Sequence, residues 1–199
     1  MSAPADKHRP RTATYADIEA LPAHQVGEII FGALYANPHP TPRHATAASV
    51  INGELYNPFQ RGTAGPGGWV FMSEPELHLD THVLVPDFAG WRTERMPRVP
   101  DTAFVELPPD WMCEILSPST ARIDRTEKLE IYATFEIPFA WYVDPFARTL
   151  EVLALQNERY EIAQTYSIAD EVTAPPFEAH TFPLNALWPL DDLGKAEGK

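Results

Sequence analysis

A single cysteine, Cys113, is all the thiol this chain carries, so an internal disulfide and any multi-cysteine zinc site are excluded. Positive charge is also scarce. Fifteen Lys and Arg against 28 Asp and Glu leave a formal net charge of -13. Affinity for nucleic acid comes largely from basic side chains on phosphates, so no broad nucleic-acid-binding surface is expected. No apolar run approaches the roughly 20 residues of a membrane-spanning helix. Residues 1–11 are polar, without the apolar centre of a secretory signal. A cytoplasmic protein with no membrane partner is the expectation. Gly62 to Gly68 does not end in Gly-Lys-Ser/Thr, which removes a phosphate-binding loop. Ser117 lacks the flanking glycines of a nucleophile elbow, which removes that serine chemistry.

What is present is a globular composition, 44% hydrophobic and 11% aromatic over 199 residues. It is expected to form one domain over 14–190, between a mobile tail at 1–13 and a polar tail at 191–199. Turn signals and periodicity predict a short helix at 15–21 capped by Thr14, and a hairpin over 26–35 around Gly32. Apolar Ala47, Ala48, Ile51 and Leu55 recur at helical spacing within a helix at 43–59. Residues 69–79 and 83–91 read as two paired strands, 92–109 as a long surface loop, and 111–117 as the central strand. A helix at 121–136, capped by Ser119 or Thr120, precedes a strand at 139–144 and a hairpin over 149–166. The order predicts an α/β (α+β mixed) fold, a mixed sheet flanked by helices.

Three residues carry chemistry. Asp87 closes the apolar run Val83-Leu84-Val85-Pro86, and Glu114 lies inside Trp111-Met112-Cys113-Glu114-Ile115-Leu116. Buried carboxylates need partners, and two on neighbouring strands about 4.8 Å apart can share a hard cation such as Mg²⁺. Alternation sets Glu114 on one face with Met112 and Leu116, as an ion ligand or as half of a structural salt bridge. Lys128 follows on a helix that can return it to the same sheet end. Its plain alternative is a surface pair with Asp124, four residues earlier. Glu74 and Glu54 are further candidates for the metal shell. His78, Asp80 and His82 alternate as ligands can, yet a polar hairpin tip explains them equally well. Arg92, Arg95, Arg98, Arg122 and Arg125 cluster in sequence around these residues, and a local basic rim is expected.

At these positions the chain resembles a known family. Glu74-Pro-Glu-Leu-His-Leu79, Val85-Pro-Asp-Phe-Ala-Gly-Trp91 and Cys113-Glu-Ile-Leu-Ser-Pro-Ser-Thr120 look like the Uma-type family of restriction-endonuclease-like proteins. Asp124 to Lys128, Tyr132, Trp141 to Pro145, Leu150 to Val152, Pro42-Arg-His44 and Pro176-Phe177 continue the pattern. The resemblance implies the PD-(D/E)XK nuclease core, with Asp87, Glu114 and the Ile115 carbonyl as metal ligands. The superfamily's usual lysine, two residues past the glutamate, is Leu116 here, and the resemblance makes Lys128 its substitute.

The functional expectation is a Mg²⁺- or Mn²⁺-dependent endonuclease acting on nucleic acid, DNA first, as a homodimer through the C-terminal hairpin. The alternatives are a silent scaffold that retains the fold, and a metal-dependent hydrolase of small phosphoesters.

Overall fold

The structure is a computed structural model that describes residues 11–189. Residues 1–10 of the expected first tail, and the whole of the second, lie outside that range. Within it, the Ala13 N–H donates to the Gly32 carbonyl at 2.8 Å and Arg11 pairs with Asp17, so residues 11–13 are tied to the first hairpin and to the first helix. Thr14 opens helix α1 (Tyr15–Glu19) with a reciprocal capping box to Asp17. Strands β1 (Gln25–Ile30) and β2 (Ala33–Pro38) form the expected hairpin, with Phe31 and Gly32 both at positive φ in the turn. Helix α2 (Pro42–Leu55) starts with proline in its first turn, where no N–H is missed, and Thr41 as cap. It buries Ala47, Ile51 and Leu55, and a wide turn at Tyr56–Gln60 extends it.

The expected pair of long strands is instead four short ones. β3 (Trp69–Ser73) and β6 (Phe88–Arg92) pair in a six-stranded sheet. β4 (Leu77–Leu79) and β5 (His82–Leu84) pair in a four-stranded sheet with the first hairpin, in the order β2-β1-β5-β4. Both strand runs leave one sheet and enter the other at the same level. Glu74, with φ of 47°, makes one corner, and Val85-Pro86-Asp87 makes the other. The Glu74 N–H donates to the Asp87 carbonyl at 3.0 Å, which ties the corners together. Proline at position 86, unable to donate to a ladder, fits such a break.

β7 (Trp111–Ile115) is interior to the larger sheet, whose order is β10-β9-β8-β7-β6-β3. It pairs antiparallel to β6 and parallel to β8 (Phe139–Asp144), so the sheet is mixed. β9 (Thr149–Gln156) and β10 (Arg159–Ser167) complete it as a hairpin, and β11 (Glu171–Val172) and β12 (Phe182–Pro183) form a small separate pair. Between β7 and β8 runs the crossover helix: α3 (Ala121–Ile123), a wide turn at Asp124–Lys128, and α4 (Leu129–Thr134). Neither Ser119 nor Thr120 caps it by its side chain. Ser117 Oγ instead accepts the Thr120 N–H, at 3.3 Å.

The β7 alternation divides the core as expected. Trp111, Cys113 and Ile115 face α2 and the C-terminal segment around Phe177. Met112 and Leu116 face the smaller sheet and the crossover helix, together with Tyr132 and Tyr142. The fold is therefore a mixed sheet between two covering layers.

Candidate active site

The register of β6 on β7 pairs Phe88 with Cys113, which sets Asp87 beside Glu114 at one end of the sheet. The Ile115 N–H donates to Asp87 Oδ2 at 2.6 Å, and His44 Nε2 lies 3.1 Å from Asp87 Oδ1. His44 comes from the first turn of α2. Burial alone would lower its pKa, but the hydrogen bond and charge of Asp87, with Glu74 and the nearby Ile115 carbonyl, leave it raised. Its Nδ1 is buried without a hydrogen-bond partner among the described residues.

Glu114 is 3% exposed, and the crossover helix covers it. Lys128 Nζ lies 2.6 Å from Glu114 Oε1, and Tyr132 donates to the same oxygen at 2.8 Å. The wide turn at Asp124–Lys128 adds a residue to the helical repeat and holds both its ends inward. Lys128 is 2% exposed and Asp124 5% exposed, so their 3.5 Å pair is interior and the surface-pair alternative is excluded. Tyr142 donates to the Asp124 carbonyl at 2.5 Å and anchors that turn to β8.

Lys128 has a further carboxylate that sequence reasoning missed. Glu28 of β1 lies 3.0 Å from Nζ, accepts the Val85 N–H at 2.9 Å and the Asn37 amide at 3.3 Å, and is buried. One ammonium thus serves three carboxylates drawn from β1, β7 and the crossover helix. Burial lowers the Lys128 pKa, but Glu114, Glu28 and Asp124 more than offset this, and the lysine stays charged. Burial, partly relieved by Lys128, pushes Glu114 well above the usual carboxylate range, and Asp124, Asp87 and Glu28 push it further. Asp124 is raised for the same first reason.

A cleft of about 130 Å³ opens over these groups, lined by Glu28, Glu74, Asp87, Glu114, Asp124 and Lys128 among others. Five carboxylates against one lysine and two histidines, His39 and His44, make it strongly acidic, a donor set that suits a hard cation. No three side chains of His, Cys, Asp or Glu among the described residues are grouped as an ion cage. Asp87, Glu114 and Ile115, expected above as metal ligands, lie together at this end of β7 on the wall of the cleft.

Other expected residues lie elsewhere. Glu54 sits at the far end of α2, about 15 Å along the helix axis from His44 at 1.5 Å per residue, and pairs with His180 at 3.0 Å. His78, Asp80 and His82 form the β4–β5 hairpin tip, where His78 bonds Glu76 and His82 accepts the Phe31 N–H. Of the expected basic rim, Arg92 and Arg95 lie away from the cleft, and Arg122 and Arg125 are ion-paired on the crossover helix. Arg92 stacks on Trp69 at the opposite end of β6 from Asp87, and Arg95 pairs there with Asp110 at 2.7 Å. Arg122 pairs with Glu127, and Arg125 with Glu151.

No helix among the described residues is long and apolar enough to cross a membrane. A search of curated proteins finds no match. Among solved structures, the chain is similar to one titled a "putative nuclease belonging to DUF820" from Anabaena variabilis ATCC 29413. That similarity has a TM-score of 0.68 and 23% identity, covering 89% of this chain and 98% of that one. At that identity the likeness shows the fold. A family model described as "Uma2: Putative restriction endonuclease" matches residues 13–185, and the chain belongs to that family.

Proposed function

We propose that the protein is a divalent-metal-dependent nuclease that hydrolyses phosphodiester bonds with water, acting in the cytoplasm. The observation that carries this reading is the buried Glu114–Lys128 pair, 2.6 Å apart at the end of a central strand, beside an Asp87 oriented by the Ile115 N–H. Charge of this kind in a core is more easily explained by chemistry than by stability.

Asp87, Glu114 and the Ile115 carbonyl would hold Mg²⁺ or Mn²⁺. When bound, the ion supplies positive charge against the phosphate and a more acidic water. The protein's own part is orientation and charge. His44 and the Ile115 N–H fix both Asp87 oxygens, and Tyr132 fixes Glu114. Lys128, held by three carboxylates, is placed to stabilise charge developing on phosphoryl oxygens. Glu28 and Asp124 hold its ammonium in place. Glu74, on the cleft wall, is the next candidate for the ion's outer shell.

The cleft of about 130 Å³ runs on into a second of about 280 Å³ that shares Pro40, His44, Glu74 and Asp87, so the groove continues past the ion site along α2. A homodimer is proposed through the β9–β10 hairpin, where β10 is a sheet edge and Ile162 is exposed; sedimentation would test it.

The deciding experiment is Mg²⁺ and Mn²⁺ titration by calorimetry on wild type and Glu114→Ala, with plasmid nicking on the same samples. Binding and nicking lost together in the variant support the nuclease. Ion binding by wild type without nicking favours a small phosphoester substrate, and no binding at all leaves a scaffold.

A further inference from the structure

With a net charge of -13 and with Arg95, Arg122 and Arg125 ion-paired, an acidic nuclease needs more than charge to hold its substrate. The six-stranded sheet offers a further means. β8 runs parallel to β7 with Val143 opposite Ile115, so the chain leaves β8 at the same end as the acidic cleft. Phe146 follows three residues after Val143, within roughly 10 Å of extended chain. At 65% it is the most exposed of the large apolar side chains among the described residues. Its turn is fixed by Asp144 Oδ1, which accepts the N–H groups of Phe146 and Ala147, both at 2.8 Å. Nothing in that turn requires an aromatic side chain.

Arg43 stands over the ring, its guanidinium carbon 5.9 Å from the centroid, and also donates to the Pro145 carbonyl at 3.4 Å. It immediately precedes His44, whose ring touches Asp87. A rigid turn thus presents an open aromatic ring, backed by a cation, beside the cleft where the phosphate would sit. Isolated exposed apolar residues are ordinary on protein surfaces. This one differs in its fixed backbone, its cation and its place beside the site.

We propose that Phe146, backed by Arg43, is a stacking platform for an unpaired base, so that the substrate is single-stranded or locally unpaired nucleic acid. The proposal rests on the nuclease reading. Stacking suits an acidic protein because every base has a π face and the contact needs no basic track. A paired base, covered on both faces by its neighbours, does not offer this contact.

The test is fluorescence anisotropy with labelled oligodeoxythymidylate and oligouridylate strands, in Ca²⁺ as a hard oxygen-binding ion, with an unlabelled duplex as competitor. Phe146→Ala is expected to weaken single-strand binding about 5- to 150-fold, the range for one lost base stack. Phe146→Trp restores it. Calorimetric ion affinity stays at the wild-type value in both, since Phe146 is not part of the donor set. Tighter binding of one strand type identifies DNA or RNA as the source of the base. Wild-type affinity in Phe146→Ala, or equal competition by duplex, overturns the platform while leaving the nuclease intact. Wild type that binds ions but neither binds nor cuts any strand overturns the nuclease reading, and the platform with it.

Discussion

The two faces of β7 solve different problems with the same five residues. On one, Trp111, Cys113 and Ile115 join Trp69, Trp141 and Phe177 in a dry aromatic cluster. Phe177 lies against Phe59, Trp69, Phe71, Trp111 and Trp141 at ring distances between 4.8 and 5.6 Å. On the other, Glu114 meets Lys128, Glu28 and Asp124, and these are the buried charged residues of the described chain. The aromatic face lowers free energy by removing apolar surface from water. The ionic face removes charge from water and recovers only part of that through one ammonium. A fold needs the first face. On the proposed function, the second is kept for the ion it would bind.

The sharpest way to break that comparison is to damage each face in turn. Phe177→Ala is expected to cost about 3–5 kcal/mol, as large aromatic truncations in cores do, read by denaturant unfolding. Lys128→Met should cost a similar ~3–5 kcal/mol, because it leaves three buried carboxylates without their cation. The faces part when the ionic group is removed whole. Glu28→Met, Glu114→Leu, Asp124→Leu and Lys128→Met combined should leave stability unchanged or raise it by about 1–4 kcal/mol, with nicking abolished. A large loss of stability in that variant would show that the ionic face is structural.

How legible this was depends on whether the signal was local. Glu114 stood out because a charge inside an apolar strand has few explanations, and its face followed from alternation. The mixed sheet, the crossover helix and α2 followed from periodicity and caps. Glu28 lies in Val26-Gly-Glu-Ile-Ile30, where the same criterion applies, but a hairpin strand reads as having a wet face. Its burial comes from one sheet packing on another, which no local pattern encodes. The strand breaks at Glu74 and at residues 85–87 were hidden because the apolar runs on either side look continuous. Pro86 was the one mark of the corner. Arg92 proved to lie at the far end of β6, since a β-strand carries neighbours away by about 3.3 Å per residue, and Arg122 and Arg125 proved to be ion-paired.

A cation should sharpen the contrast further. An ion at a hundred times its dissociation constant stabilises the protein it binds by about 2.7 kcal/mol. Thermal unfolding of wild type is expected to shift upward with Mg²⁺ or Mn²⁺. Glu114→Gln should lose that shift, and Phe177→Ala should keep it from a lower starting point. A shift retained in Glu114→Gln would place the ion elsewhere.

The smallest effect concerns carboxylates that the two environments push in opposite directions. Burial raises Glu114 and Asp124, whereas Asp17 on the surface is lowered, first by the Thr14 backbone N–H, then by the Thr14 hydroxyl and Arg11. A carboxyl with a depressed folded pKa contributes stability above its unfolded value, 3.8 for Asp17, and loses it as pH falls through the folded value. Asp17→Asn should therefore unfold at a slightly lower temperature than wild type near neutral pH. The gap should close on acidification below that range. Raised carboxyls behave in reverse, favouring the folded state as they take up protons, and Asp17→Asn, which keeps them, should show a shallower loss of stability than wild type across the same acid window. A gap between wild type and Asp17→Asn that persists at the acid end would mean the capping box acts through shape and not charge.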